Sequence, residues 1–253
     1  MSDKGFTNWK LELVNKRTGL IIDDDAGKAR VMTAGSPASP TLYADSLGTA
    51  LTNPITFTNG KAEFWTVNTI TSVDVSIMTA AGEAVYLRGT TPGLTKVEVD
   101  KEQMEHVLVI PFGPNDNDVL DTGFDIPANM LITDVSMRVV TVDATETIEF
   151  GFENAVESGD LDGLIDAALV DTAGYVELEP QITGGTNIDY VGTNYVGALL
   201  CTSIAGADAV ATVGGFTRKK YRTDGTIKSF VYTGSAGSDT AAGYFFVRYQ
   251  KAV

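Results

Sequence analysis

Short stretches of alternating hydrophobic and polar residues follow one another along most of this chain. Residues 9–14 alternate and then reach the turn-forming residues 15–19, and residues 73–77 and 228–233 repeat the pattern. A period of two residues is typical of half-buried strands, and the abundance of Thr and Val together with 26 Gly favours strands over helices. The only stretch with helical spacing is 160–170, where a short helix is an open alternative. The pattern predicts an all-β protein.

Turn signals divide the strands into two groups. The Gly/Ser/Pro cluster 35–40 must be a loop, because its two prolines cannot donate to a β-ladder. An Asn-Pro step at 53–54 and an Asn-Gly step at 59–60 separate further short strands, as in a small β-sandwich. We therefore expect an N-terminal β-sandwich domain over residues 1–93. A charged connector over 94–106, a strand with one helical turn, is expected to lead into a larger sandwich over 107–253.

Charge is spread unevenly over the 253 residues and limits the classes of partner. The formal net charge is −15, and it is −2 over residues 1–100, −17 over 101–189 and +4 over 190–253. So negative a chain repels phosphate backbones, and we expect it to bind no nucleic acid. The basic run 218–222 has two open interpretations: a contact between neighbouring copies in an assembly, or a charged strand edge that deters aggregation.

Membrane and redox signals are weak. The sequence contains no run of about 18 apolar residues, and its start lacks the apolar region of a secretory signal, so we expect a soluble protein made inside a cell, with no membrane partner. The single cysteine, Cys201, has no intrachain partner and is expected to be a small buried hydrophobic residue.

Candidate chemistry is equally sparse. The only histidine, His106, is expected to be structural or solvent-exposed and not catalytic, because no Ser-His-Asp or Cys-His pattern accompanies it. One His and one Cys cannot build a common zinc site within one chain. The only zinc site left to consider is one built by three copies of His106 around a threefold axis. No phosphate-binding glycine motif is present. We predict a protein that is not an enzyme and needs no cofactor.

Three acidic turns offer oxygen ligands of the kind that Ca²⁺ prefers: residues 23–25, 116–118 and 160–163. None fits the twelve-residue calcium loop, and acidic β-turns explain all three. If one binds metal, Asp160 and Asp162 are the candidates, because Gly163 permits the sharp turn that brings two carboxylates together.

Several of these segments also resemble a known group of proteins. The strand entry 126–129 with its acidic, Gly-rich continuation to 174 resembles a β-domain of tailed-phage virion proteins. Leu51-Thr52-Asn53-Pro54, followed by Asn59-Gly60 and Phe64-Trp65, resembles the small β-sandwich near the N-terminus of many phage head and tail proteins. The last strands, 228–236 and 242–249, resemble the close of the same phage domain. The resemblance covers about 30–93 and 107–253.

The resemblance implies two β-sandwich domains, the C-terminal one jelly-roll-like, in a structural protein of a phage particle. The role expected from it is a capsid decoration or cement protein, made in the bacterial cytoplasm, that binds the major capsid protein on the capsid surface as a homotrimer. Either domain could face the shell. The alternatives are a tail or head fibre that binds a host-surface glycan, with Tyr175, Tyr190 and Tyr195 as stacking candidates, and a tail-hub or baseplate adaptor.

Overall fold

The structure is a computed structural model. It describes residues 5–114, 118–153, 160–176, 178–180, 195–196, 200–202, 217–218, 220–223, 228–235 and 240–251. These residues form strands and turns without an α-helix, so the prediction of an all-β, sandwich-type fold is confirmed. Within the described part of the chain, no helix has the length and apolar character needed to cross a membrane. The chain divides into two compact units, Met1–Ile110 and Pro111–Val253.

The first unit contains two sheets built from nine strands. These are β1 (Phe6–Asn15), β2 (Lys28–Thr33), β3 (Leu42–Tyr43), β4 (Ala50–Leu51), β5 (Ile55–Thr56), β6 (Lys61–Val67), β7 (Val73–Met78), β8 (Ala84–Thr90) and β9 (Gly93–Val99). One sheet has the order β4-β3-β6-β1-β9, with β1 and β9 parallel, and the other has the antiparallel order β5-β2-β7-β8.

The core of this unit lies between its two sheets. Leu11 and Leu13 of β1 are buried in the same cluster as Val31 of β2 and Val75 of β7. The alternation that the sequence shows in β1 therefore separates a core face from a polar face. Trp9 anchors the layer: its ring stacks on Phe64 with centroids 5.7 Å apart, and its Nε1 donates to the buried Thr66 hydroxyl at 3.0 Å.

The Asn-Gly step forms the tight turn that the sequence predicts. Asn59 and Gly60 both have positive φ, 49° and 70°, and Thr58 pairs with Lys61 across them. Two consecutive positive φ values belong to the two-residue hairpin turn that Asn-Gly favours. The turn is held by its neighbours, since Gly60 N–H donates to the Asp24 carbonyl at 2.9 Å and Leu13 N–H donates to the Gly60 carbonyl at 2.8 Å.

Asn53, which precedes the proline of the Asn-Pro step, completes the pairing of β2. Its Nδ2 donates to the Val31 carbonyl at 2.7 Å, and its Oδ1 accepts from the Val31 N–H at 3.0 Å. The side-chain amide thus pairs with both backbone groups of Val31, as a neighbouring strand would do.

The second unit contains the remaining strands. These are β10 (Glu105–Phe112), which begins in the first unit, β11 (Leu120–Ile126), β12 (Met130–Thr141), β13 (Thr147–Glu153), β14 (Asp160–Leu169), β15 (Gly174–Val176), β16 (Glu179–Pro180), β17 (Tyr195–Val196), β18 (Cys201–Thr202), β19 (Thr217–Arg218), β20 (Tyr221–Arg222), β21 (Lys228–Gly234) and β22 (Ala242–Lys251). One sheet has the order β10-β22-β12-β15, with β20 also on β12, and a second has the order β11-β21-β13-β14-β17-β16. The short pair β18-β19 stands apart.

Aromatic rings fill the space between the two larger sheets of this unit. Phe245 of β22 stacks on Phe150 of β13, with centroids 4.2 Å apart and ring planes 13° apart. Phe112 lies 4.7 Å from Phe245, and Phe230 lies 5.6 Å from Phe150. Because Phe245 and Phe150 belong to different sheets, this stack shows that the two sheets pack face to face, as in a β-sandwich.

The helix considered for 160–170 is wrong, because this segment is strand β14. Ile165 pairs with Phe150 and Ala168 with Ile148, so three residues of β14 match two of β13. A β-bulge of this kind places residues three apart on one face of a strand. The bulge therefore produces the helix-like spacing of hydrophobic residues.

Residues 94–99, assigned from the sequence to the connector, lie in β9 and pair with β1. Val97 and Val99 are fully buried in the core of the first unit. The strand expected at this position is present, and residues 101–102 form a turn between β9 and β10 where one helical turn was expected.

Candidate binding surface

The acidic turn 23–25 is a structural element. Asp24 is buried, and its Oδ1 accepts from the N–H groups of Ala26 and Gly27 at 3.0 and 2.6 Å. Its Oδ2 accepts from the Ala80 N–H at 2.9 Å. Three backbone donors thus occupy this carboxylate, and it ties the turn to the end of β7. The expected acidic β-turn accounts for this segment.

The remaining metal candidates lie largely outside the described residues. Asp160 and Asp162 lie at the start of β14, where their side chains fall outside the described residues, as do Asp116 and Asn117. Among the residues that the structure describes, no group of three or more His, Cys, Asp or Glu side chains is arranged to hold a metal ion. Asp160 and Asp162 remain a prediction from the sequence.

His106 lies inside the fold. It is 1 % exposed, and its Nδ1 accepts from the Ala84 N–H at 3.4 Å. A side chain so deeply buried cannot meet copies of itself on a symmetry axis, so the arrangement of three His106 side chains around zinc is wrong.

Asp143 joins two turns of the second unit through charge-assisted hydrogen bonds. The Thr145 N–H donates to its Oδ1 at 3.1 Å, and the Thr240 hydroxyl donates to its Oδ2 at 2.8 Å. These bonds hold the pKa of Asp143 below its ordinary value of 3.8, and the bond from the Thr145 N–H has the largest effect. They favour the ionised form, so the bonds contribute to stability only while the carboxylate is charged.

We expect the variant Asp143→Asn to lower the melting temperature of the second unit at pH 7 and to have a smaller effect at pH 3. A folded-state pKa below the unfolded value contributes stability above pH 3.8 and loses it as the pH falls through the folded-state pKa. Calorimetry across pH 2.5–7 measures this, with the exposed Asp171→Asn as the control. An equal loss at both pH values would contradict a role for the charge.

A partly exposed group of aromatic and arginine side chains lies on the outer face of the β10-β22-β12-β15 sheet. Arg138 of β12 pairs with Tyr175 of β15 on one side and with Tyr244 of β22 on the other. Phe246, two residues along β22, lies 6.0 Å from the Tyr175 ring and 6.4 Å from the Tyr244 ring. Alternation along β22 turns Phe245 into the core, so Phe246 points outward. We call Arg138, Tyr175, Phe246 and Arg248 the arginine face.

Exposure and contacts make this face suited to binding. The Tyr175 side chain is 73 % exposed although its ring is a large apolar surface. The Arg138 guanidinium lies 6.0 Å from the centre of that ring, within cation–π range. Arg248 is exposed at the position opposite Asp134. Tyr, Phe and Arg are the residue types enriched at protein interfaces.

The end of the basic run 218–222 adjoins the same sheet. Tyr221 and Arg222 form β20, which pairs with Ile132 and Leu131 at the start of β12. Tyr221 also contacts the core, since the buried Lys228 places its Nζ 5.8 Å from the Tyr221 ring and 5.9 Å from the Phe152 ring. The tyrosine in this run therefore packs within the unit, and the exposed Arg222 adds positive charge to the arginine-face side of the sandwich.

Sequence reasoning found only part of this surface. Tyr175 is the one predicted stacking residue whose side chain is described, since Tyr190 and the side chain of Tyr195 lie outside the described residues. Arg138 and Phe246 were missed. One signal was available, because Arg138 is the only basic residue between Lys101 and Arg218. The pairing of Arg138 with Tyr175 depends on strand order, which the sequence alone does not show.

Comparisons of the chain with protein-family models, with curated proteins and with solved structures gave no match.

Proposed function

We propose that the chain is a non-enzymatic structural protein of a tailed-phage particle, a decoration protein that binds the assembled head as a homotrimer. The observation that carries the proposal is the strand order of the second unit. Its support from the sequence is the resemblance of residues 30–93 and 107–253 to phage head and tail domains.

The strand order of the second unit fits a jelly roll. Eight strands divide into the orders β10-β22-β12-β15 and β11-β21-β13-β14, and the last strands insert between the first ones in both sheets. The chain changes sheet at every step from β10 to β13, and it changes sheet again from β21 to β22. Two sheets of four strands joined by such crossings form two Greek keys, the jelly-roll arrangement found in viral capsid and lectin domains.

The residues that carry the resemblance in the first unit have defined structural roles. Asn53 pairs with the backbone of β2, and Asn59 and Gly60 form the tight turn that the bridge between Thr58 and Lys61 closes. The backbone of a small sandwich therefore requires these residues, so the resemblance is more than a similarity of composition. This supports a shared domain type.

A decoration protein acts without chemistry. It binds the assembled shell and not the free capsid subunits, so mass action stabilises the assembled state by RT ln(1 + [L]/Kd), about 2.7 kcal/mol when the free protein is at a hundred times its Kd. A folded β-sandwich with an exposed surface meets this requirement.

The test uses virions of the phage that encodes the chain. We expect mass spectrometry to find the chain in purified heads, and purified chain to rebind heads from a deletion phage and raise their melting temperature. Heads that rebind a control protein of similar charge equally well would contradict specific binding. Absence of the chain from the particle would overturn the proposal, and its presence in tails alone would favour the adaptor role.

A second candidate function is glycan binding by a fibre protein, favoured by the exposed ring of Tyr175. An exposed aromatic face beside a hydrogen-bonding arginine is suited to stacking against a sugar ring. A glycan array separates the two functions: a decoration protein binds no glycan, whereas a fibre protein binds one and loses it in Tyr175→Ala.

A further inference from the structure

We propose that the arginine face of one copy docks on the acidic outer face of the β11-β21-β13-β14 sheet of a second copy. The inference rests on the proposed function, which places the chain in a symmetric particle. It names the contact by which copies of the chain join.

The two sheets carry opposite charge. Within residues 111–253, the strands of the sheet that bears the arginine face contain four basic residues and one acidic residue: Arg138, Arg222, Arg248, Lys251 and Asp134. The strands of the other large sheet contain eight acidic residues and one basic residue: Asp121, Asp125, Glu149, Glu153, Asp160, Asp162, Asp166, Glu179 and Lys228. The one basic residue, Lys228, is 3 % exposed and neutralises little of the outer surface.

Three of these acids define the acidic face. Asp125 of β11 and Glu153 of β13 both pair with Ser229 of the strand between them, so the three residues form one row across the sheet. Both acids are exposed, and the Ser229 hydroxyl donates to Asp125 Oδ1 at 2.5 Å. Asp121, also exposed, lies four residues before Asp125 on β11. We call Asp121, Asp125 and Glu153 the acidic face.

Complementary charge selects a second copy as the occupant. Copies with a net charge of −15 repel one another unless they meet through surfaces of opposite sign. The arginine face supplies the positive surface, and every other copy offers an acidic face. The aromatic rings around Arg138 add the apolar contact area that a stable interface needs, since Tyr and Arg dominate binding energy at interfaces.

The two contact surfaces differ, so the contact is heterologous. Each copy contributes an arginine face to one neighbour and an acidic face to the other, and such contacts close into a ring when the rotation between copies divides a full turn. Because the two faces lie on opposite sides of one sandwich, copies that meet without such a rotation stack into an open filament.

Charge reversal on each face tests the contact in solution, without any phage shell. We expect native mass spectrometry of the full chain to show an oligomer above the 26.8 kDa monomer, which dissociates as salt screens the charges. The double variant R138E/R248E and the double variant D125K/E153K should each raise the dissociation constant at least about 100-fold, because like charges then face each other. The fourfold variant that combines them should restore the oligomer.

A matched control reverses two exposed basic residues in the first unit, R88E/K96E, which changes the net charge as R138E/R248E does. It should leave the dissociation constant within about threefold of the unchanged chain. Calorimetry of each variant confirms that the second unit still unfolds at its usual temperature.

The outcomes separate the inference from the proposed function. A wild-type chain that stays monomeric, an oligomer that survives R138E/R248E, or a fourfold variant that stays dissociated would each overturn the contact. Loss of binding to phage heads in R138E/R248E, with the chain monomeric throughout, would assign the face to the shell and also overturn it. If the charge-reversal variants behave as expected but the chain is absent from virions, the contact stands and the proposed function is rejected.

Discussion

Replacing Phe245 by alanine is expected to lower the free energy of unfolding of the second unit by about 3–5 kcal/mol. Phe245 is fully buried, and its ring contacts rings from both sheets: Phe150 at 4.2 Å, Phe112 at 4.7 Å and Tyr232 at 6.0 Å between centroids. Alanine removes the transfer free energy of the ring and leaves a cavity at the centre of the sandwich, where rigid aromatic neighbours cannot collapse to fill it.

The adjacent residue on the same strand provides the control. Phe246 points to the opposite side of β22 and is only partly buried, so Phe246→Ala should cost less than about 1 kcal/mol. Calorimetry under conditions in which the chain is monomeric compares the two variants. An equal cost for both alanine variants would contradict the assignment of Phe245 to the core and Phe246 to the outer face.

The variant Gly60→Ala is expected to destabilise the first unit by about 2–5 kcal/mol. A Cβ at this position would lie 1.8 Å from the carbonyl oxygen of Ile22, and that oxygen belongs to the backbone and cannot move alone. The positive φ of 70° adds strain for any residue with a side chain. To relieve the clash, the turn at Gly60 must therefore move away from Ile22.

Gly19→Ala separates these two causes. Gly19 has nearly the same φ, 67°, but nothing lies within 4 Å of a Cβ built there. Its cost should be the conformational strain alone, about 1–2 kcal/mol. A difference of zero between the two variants would show that the close approach of Gly60 to Ile22 has no energetic effect.

Fluorescence assigns each effect to its unit. Both tryptophans, Trp9 and Trp65, lie in strands of the first unit, so tryptophan emission during denaturant unfolding follows that unit. We expect Gly60→Ala to shift this transition. Phe245→Ala should instead shift the calorimetric transition that has no counterpart in tryptophan emission.

Local chemistry made several elements predictable from the sequence. The alternation of Val73, Val75 and Ile77 identified the strand β7, although that strand is buried on both faces and not half-buried as expected. Asn59-Gly60 identified a tight turn with two positive φ values. Both signals act over a few residues, because side-chain alternation and the φ preference of Asn and Gly do not depend on distant parts of the chain. Predictions of this kind were confirmed.

Errors arose where a distant partner changed the local pattern. The hydrophobic spacing of 160–170 favoured a helix until its pairing with β13 showed a bulge. The sequence left open whether the histidine at 106 is structural or solvent-exposed, and only its burial against Ala84 decided between them. In each case the deciding contact joins residues that are not neighbours in the chain.

The sequence by itself determined the all-β class, the position of the tight turns and the strong acidity of residues 101–189. These properties follow from composition and short-range periodicity. Only the tertiary structure decided which strands are neighbours, and with them the placement of Tyr175 beside Arg138 and of Asp125 in one row with Glu153. Strand order depends on long-range pairing between segments up to a hundred residues apart, so the charged faces of the sandwich became visible only once the sheets were assembled.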